Sequence, residues 1–213
     1  MRYACLFLAL LVAPIPGAHA GPLEEALTLD RQGFIGETVP HWEAFIASGP
    51  EKNLDIYSNI KLCLALHKMG RLMDAYKTAG KLAERYPDDF HAQFNLANMG
   101  GGIRRFAEAA EAYKKVTEMH PDEGLGKVGL GLSLFGDRKT EPALEILREA
   151  KRLFKKQKII SWYQNTRIMI GQMKSFAPYP PDFSDLWLSN NLKNIRDTYY
   201  RTLFLEYEKG LNL

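Results

Sequence analysis

The chain has 213 residues, of which 46% are hydrophobic and 25% charged, and its formal net charge at pH 7 is +3. This composition is that of an ordinary water-soluble globular protein, and it excludes collagen, mucin and wholesale disorder. A net charge this small gives no indication of nucleic-acid binding. A chain of this length buries roughly 70% of its unfolded surface when it folds, so it needs no disulfide or metal to hold it together.

Residues 1–20 have the pattern of a cleavable export signal. Arg2 supplies a positive charge, residues 3–12 are uncharged and apolar, and residues 18–20 have the small-x-small form that precedes a cleavage site. We therefore expect export and cleavage after Ala20. The apolar stretch of about ten residues is shorter than the roughly 20 that a spanning helix needs, so no membrane span is expected after cleavage. An uncleaved N-terminal anchor is the alternative.

The mature chain shows no pattern typical of an active site. Cys63 is its single cysteine, and the apolar residues around it in sequence indicate a buried thiol rather than a nucleophile or metal ligand. The histidines have no metal-binding spacing, and no Gly-x-Ser-x-Gly motif is present. We expect no catalytic residue, no metal and no cofactor. The absence of an Asn-x-Ser/Thr acceptor favours a bacterial periplasm over a eukaryotic secretory pathway.

A 34-residue period runs through the centre of the chain. Pro87 and Pro121 lie 34 residues apart, and each is followed by Asp. Frames that begin at Ile56, Phe90 and Gly124 align a Leu in the seventh position, a small residue in the eighth and an Ala in the twentieth. The aligned residues are Leu62, Leu96 and Leu130, then Cys63, Ala97 and Gly131, then Ala75, Ala109 and Ala143. Small residues recur where helices cross closely, so the period predicts helix pairs that stack to bury their apolar stripes.

These columns resemble the tetratricopeptide repeat, whose pattern has a Leu and a small residue in the first helix, an Ala and an aromatic in the second, and a closing Pro. The resemblance covers three repeats, at residues 56–89, 90–123 and 124–157. It implies an all-α fold, a right-handed α-solenoid of helix pairs. The third repeat departs from the pattern because Lys155 replaces the closing Pro, and we expect its second helix to run on.

Segments on both sides extend the predicted stack. Residues 21–55 are interpreted as a degenerate N-terminal helix pair that caps it. Residues 158–174 add one solenoid helix, and the proline-rich residues 175–183 form an extended connector. Residues 184–213 predict a long, aromatic-rich C-terminal helix with one apolar docking face. That face comprises Leu188, Leu192, Ile195 and Tyr199.

The resemblance also implies a concave groove, because in this repeat class the first helices line the concave side. The groove residues are Tyr57, Ile60, Lys61, Leu64, His91, Phe94, Asn95, Asn98, Leu125, Val128, Leu132 and Phe135. An apolar groove of this kind binds a peptide or helix of a partner, or is filled by the chain's own C-terminal helix. Both alternatives stay open. The carboxylate clamp of chaperone-binding members is not expected, because Leu64, Leu125 and Gly129 occupy positions where that clamp needs polar groups.

Two further features have structural interpretations. The triple glycine at residues 100–102 predicts a frayed or kinked helix end, and neither it nor the glycine cluster at residues 124–131 follows a predicted strand, as a phosphate loop would. The basic run at residues 151–158 is interpreted as a solvated helix end, although an acidic partner or anionic lipid is the alternative.

The function implied by the resemblance is that of an exported, non-enzymatic adaptor. We expect it to hold a peptide or helix of another envelope or secreted protein during assembly or secretion of a complex. A fixed structural subunit, docked through the C-terminal helix, is the first alternative, and an enzyme with an unrecognised site is the second. No nucleic acid is expected as a partner, and the sequence is compatible with homo-oligomerisation.

Overall fold

The computed structural model describes residues 21–210, so the predicted export signal lies outside the described residues. Within that range the chain forms ten α-helices and one 3-10 turn, and no strand. The helices are α1 (Pro22–Gln32), α2 (Ile35–Ala47), α3 (Lys52–Lys68), α4 (Leu72–Arg85), α5 (Phe90–Gly102), α6 (Phe106–Met119), α7 (Gly124–Gly136), α8 (Thr140–Lys156), α9 (Ile160–Phe176) and α10 (Asp185–Gly210), and the 3-10 turn is Pro181–Ser184.

The helices stack in sequence order. Each helix from α1 to α8 packs against the one that follows it, and the first helices of the pairs, α3, α5 and α7, also lie side by side. This is the arrangement of an α-solenoid, in which each unit is stabilised by its neighbours. Helices α5 and α7 begin at Phe90 and Gly124, the first residues of the second and third frames, whereas α3 begins at Lys52, four residues before its frame.

The alanine column of the repeat lies at the closest helix contacts. Ala75, Ala109 and Ala143 are buried, and a methyl group built on Gly100 would lie 3.5 Å from the Cβ of Ala109. The triple glycine forms the last residues of α5, which ends at Gly102 as the predicted helix end implies, and all three glycines are helical rather than frayed. A Cβ at Gly100 would meet α6 at ordinary van der Waals distance, so this contact alone does not require a glycine.

Helix α7 owes its high glycine content to neighbours on both sides. A Cβ atom at any of five glycines in this helix would lie less than 3.0 Å from a side chain of α6 or α8. The pairs are Gly124 with Phe154, Gly126 with Val116, Gly129 with Tyr113, Gly131 with Leu147, and Gly136 with Phe106. The glycine cluster is therefore a close-packed helix, and the large side chains of the flanking helices fill the space against its backbone.

Beyond the second repeat, the observed helices end at other residues than the second repeat or the predicted segments imply. Helix α8 has 17 residues, whereas the corresponding helices α4 and α6 have 14, so it runs on past the position of the closing Pro. Helix α9 continues to Phe176, and the last residues before α10 form the 3-10 turn rather than an extended chain. Helix α10 has 26 described residues and is about 39 Å long.

The close approach at α7 makes a specific prediction about stability. Replacing Gly129 with Ala places a Cβ 2.3 Å from the ring of Tyr113, so we expect Gly129→Ala to lower the free energy of unfolding by about 1–3 kcal/mol. Gly171 in α9 is the matched control, because nothing lies within 4 Å of its added Cβ. There Ala should raise stability by about 0.5–1 kcal/mol through helix propensity. Chemical denaturation measures both, and a stabilised Gly129→Ala variant would contradict the packing.

The turns between the two helices of each repeat contain a second periodic feature. Gly70, Arg104 and Arg138 are spaced 34 residues apart, and all three have a left-handed backbone, with φ of 77°, 64° and 67°. Glycine adopts this conformation without steric cost, whereas arginine does not. The cost of this backbone conformation at Arg104 is offset by a bidentate ion pair with Asp185, in which both N···O distances are 2.6 Å. Arg138 forms no ion pair among residues 21–210.

We expect Arg138→Gly to raise the free energy of unfolding by about 0.5–1 kcal/mol, because it removes a left-handed arginine that no ion pair offsets. Arg104→Gly relieves the same strain but also removes the pair with Asp185, so its net gain should be smaller or absent. Denaturation of the two variants side by side gives the difference, and equal gains would show that the Arg104 pair contributes nothing.

Candidate functional site

Helix α10 lies in the concave groove. It contacts α5 and α7, and the aromatic residues of its last turns reach α3. The first turn of α10 lies at the opposite end of the groove, where Trp187 packs edge-on against Phe135 of α7. One helix therefore crosses the first helices of all three repeats.

All twelve predicted groove residues are buried or partly buried, and six of them contact α10 directly. Eight of the twelve are buried: Tyr57, Ile60, Phe94, Asn95, Asn98, Val128, Leu132 and Phe135. The other four, Lys61, Leu64, His91 and Leu125, are partly buried. Direct aromatic or polar contacts with α10 are made by Tyr57, Lys61, His91, Phe94, Asn95 and Phe135. The remaining apolar groove residues belong to the hydrophobic core of the stack or pack against it. They are Ile60, Leu64, Leu125, Val128 and Leu132.

The apolar face of α10 points into the groove rather than to solvent. Its four predicted residues, Leu188, Leu192, Ile195 and Tyr199, are each at most 6% exposed. Tyr200 and Leu203 are buried beside them and were missed, although both extend the same stripe by one residue and one turn. The face is therefore unavailable to a partner while α10 is docked.

Two adjacent tyrosines form the centre of the contact. The ring of Tyr199 stacks on Phe94 with 3.8 Å between centroids and 3° between planes, and its hydroxyl lies 2.7 Å from Nδ1 of His91. The hydroxyl of Tyr200 donates to Oδ1 of Asn95 at 2.5 Å. Burial raises the pKa of both phenols well above the usual value, so each stays neutral and hydrogen-bonded.

The two ends of α10 are held by charged groups. At its first residue Asp185 accepts the two hydrogen bonds from Arg104, which tie the helix to the turn between α5 and α6. Near its last turn the ammonium of Lys61 lies 4.1 Å from the centre of the Phe204 ring and 3.7 Å from the carboxylate of Glu208. Cations over aromatic faces and opposite charges are both favourable at such partly buried positions.

Arg196 contributes a contact that depends on protonation. Its Nη1 lies 2.7 Å from Nε2 of His67 in α3. Since a guanidinium only donates, Nε2 of His67 must accept and cannot carry a proton. Burial and the charge of Arg196 lower the pKa of His67, while Asp197 opposes them weakly. Burial likewise lowers the pKa of His91 at the neighbouring contact.

Acidification should therefore loosen α10. Unfolded histidine has a pKa of about 6.5, so the stability supplied by neutral His67 and His91 is complete above that pH and is lost as the pH falls below it. We expect the thermal unfolding midpoint to drop by a few degrees between about pH 7.5 and 5.5. The drop should be smaller in His67→Gln, whose amide oxygen still accepts from Arg196. His120→Gln, at an exposed position, is the control, and an equal drop in both variants would argue against the contact.

The groove contains a buried thiol, and the titration of that thiol is shifted by its surroundings. Burial raises the pKa of Cys63 to about 12, and its sulfur accepts a hydrogen bond from Nδ2 of Asn95 at 3.4 Å, so the thiol is not a nucleophile. Among residues 21–210 no three His, Cys, Asp or Glu side chains are grouped as metal ligands would be. A cavity of about 270 Å³ lies beside the contact of α10 with α3 and α5, and Asn98, one of the residues that line it, has a buried Nδ2 donor without a partner among residues 21–210.

The model of one known family matches part of the chain. The tetratricopeptide repeat model matches residues 102–157, which covers the second helix of the second repeat and the whole third repeat. No significant match is found among curated protein sequences. In the part of the chain that the structure describes, none of the helices has the length and apolar character needed to cross a bilayer.

Several solved structures have a similar fold. MamA from Desulfovibrio magneticus RS-1, residues 41 to the end, matches with a TM-score of 0.60 and 17% identity over 84% of this chain and 94% of that chain. A MamA structure from AMB-1 gives 0.54 and 22% over 63% and 72%. YrrB, described as a TPR protein with an unusual peptide-binding site, gives 0.54 and 19% over 62% and 66%. At these sequence identities the similarity shows a shared solenoid fold and nothing more.

Proposed function

We propose that this chain is an exported, non-enzymatic interaction scaffold of the tetratricopeptide-repeat type that holds a helical segment of another envelope protein. The observation that carries the proposal is that the groove already accommodates a helix. Helix α10 lies across three consecutive first helices with its apolar stripe inward. An amphipathic helix laid into an apolar groove is a common mode of peptide recognition.

The contacts of α10 describe the segment that the groove accepts. Aliphatic side chains at positions i, i+4 and i+7 correspond to Leu188, Leu192 and Ile195, and tyrosines at i+11 and i+12 correspond to Tyr199 and Tyr200. The tyrosine hydroxyls are required because His91 and Asn95 would otherwise be left without these hydrogen bonds in a buried site. A partner helix with this pattern competes with α10 for the same surface.

Three observations support the remaining parts of the proposal. Residues 1–20 have the pattern of an export signal, and the lack of a glycosylation acceptor favours the bacterial periplasm. Tetratricopeptide repeats generally serve as interaction modules, and YrrB is described as a peptide-binding member. The buried, protonated Cys63 supports a role without covalent catalysis.

A fixed structural subunit is the second candidate, favoured by the closed groove. Helix α10 is joined to the stack by buried hydrogen bonds and by the ring contact between Tyr199 and Phe94. These contacts are typical of a helix that stays docked as part of the core. In that case the partner binds an outer surface of the solenoid and the groove has a purely structural role.

Crosslinking and pull-down from an envelope extract separate the two functions. Tyr199→Ala removes the stack on Phe94 and the hydrogen bond to His91, so it should loosen α10 and raise the recovery of a groove-binding partner several-fold. Leu205→Ala is the matched control, because Leu205 is on the same helix but 56% exposed. A synthetic peptide of residues 185–210 should compete with the partner in the Tyr199→Ala protein.

Unchanged recovery in Tyr199→Ala, with a stoichiometric and salt-resistant partner, would instead favour the fixed subunit. Thermal unfolding of the variant checks that the stack itself remains folded. The same fractionation tests export: the envelope fraction should contain a chain whose N-terminal sequence begins Gly-Pro-Leu-Glu, and an intact Met1 would contradict cleavage after Ala20.

A further inference from the structure

The two ends of the solenoid carry opposite charges. Residues 146–181, which form the second half of α8 and all of α9, contain eight Lys and Arg and one Glu, a net charge of +7. Residues 21–51, which include α1 and α2, contain six Asp and Glu and one Arg, a net charge of −5. The total of +3 conceals this separation because the two ends nearly cancel.

The cations of the basic end have no carboxylate partners within the molecule. None of the eight forms an ion pair within 4 Å among residues 21–210, and the one acid of the segment, Glu149, pairs with Lys127 of α7. The eight are Arg148, Lys151, Arg152, Lys155, Lys156, Lys158, Arg167 and Lys174. The macrodipole of α8 accounts for the two in its last turn but not for those on α9.

The acidic end shows the complementary pattern. Glu24 on α1 and Glu37 and Glu43 on α2 are exposed and form no ion pair in the described part of the chain, and neither does Glu51 just beyond α2. Among residues 21–210 two of these acids have partners: Asp30 pairs with Lys61, and Glu25 lies 3.6 Å from His41. Both end surfaces therefore carry charged side chains that form no ion pair within the described part of the molecule.

Helix α9 also has an uncovered side. It packs on α8, but within residues 21–210 no further helix continues the stack beyond it, unlike the helices inside the solenoid. Its outer stripe exposes Ile160 by 57% and Ile168 by 52%, with Arg167 and Lys174 on the same side and no acid. Terminal repeats of solenoids need a polar outer face for solubility, so exposed isoleucines here mark a surface that another unit covers.

We propose that copies of this chain associate head to tail, with the outer face of α9 on one copy packed against the acidic α1–α2 pair of the next. A second copy is favoured as the occupant because the chain itself provides the complementary charge at its opposite end. Opposite charges supply the attraction and the register, and the isoleucines supply apolar burial. The contact joins two different surfaces, so each complex keeps one free end of each kind, and assembly continues beyond the dimer. This association does not involve the groove and goes beyond the function proposed above.

The first measurement is sedimentation of the purified protein over a range of concentrations. At low ionic strength, about 20 mM salt, the average mass should rise with concentration and pass that of a dimer. At about 500 mM salt the charges are screened within a few ångströms, and the protein should return to the monomer. A protein that stays monomeric at every concentration in low salt would overturn the proposal.

Charge-reversal variants locate the two surfaces. Arg167→Glu with Lys174→Glu lowers the net charge of the basic end from +7 to +3, and Glu24→Lys with Glu43→Lys changes that of the acidic end from −5 to −1. Each double variant alone should associate at least tenfold more weakly than the wild type. Lys77→Glu with Lys81→Glu is the matched control, because it makes the same charge change as the first pair at exposed positions on α4 and should associate like the wild type. Circular dichroism verifies that all three remain folded.

Mixing the two end variants gives the sharpest test. One variant keeps an intact acidic end and the other an intact basic end, so an equimolar mixture should form a native contact and give a one-to-one complex. A mixture that stays monomeric, or a control that loses association equally, would overturn the proposal. So would a monomeric wild type that binds anionic phospholipid vesicles through the residues of α9, because that result would assign the basic face to a membrane.

Discussion

The concave side of the stack must be covered, and the rest of the structure follows from that requirement. Helices α3, α5 and α7 are apolar on two sides, one facing the second helices of the repeats and one facing the groove. Phe94, for example, is fully buried and stacks on Tyr199 of α10. Exposing apolar side chains of this kind to water is unfavourable, and α10 removes them from solvent.

Apolar contact alone would hold α10 in the groove without setting its position along it. The polar pairs set the register, because each one joins a particular residue of α10 to a particular repeat. Asp185 meets Arg104, Tyr200 meets Asn95, and Arg196 meets His67. Sliding the helix by one turn would break all of these at once and leave buried donors and acceptors unpaired, which costs more than the contacts contribute when made.

Much of the fold could be predicted from local sequence, because the 34-residue period and its small-residue columns are local patterns. The C-terminal stripe was also predictable, but a stripe shows only which side of a helix is buried and not what covers it. The covering contacts join residues more than 100 positions apart, such as His91 and Tyr199, and no spacing rule connects them. The left-handed backbone at Arg104 and Arg138 could have been predicted from the sequence, because both residues occupy the position of Gly70 in the 34-residue period.

The docked α10 sets a condition that any groove-binding partner must meet. Because α10 is attached through a short connector, its effective concentration at the groove is of the order of millimolar, so a free helix with identical contacts loses the competition at ordinary concentrations. A partner must therefore add contacts outside the groove or act when α10 is weakened. Protonation of His67 weakens one register contact, so a fall in pH weakens the hold of the groove on α10. The charged ends do not include α10, so the association proposed between copies and the binding proposed for the groove use separate surfaces.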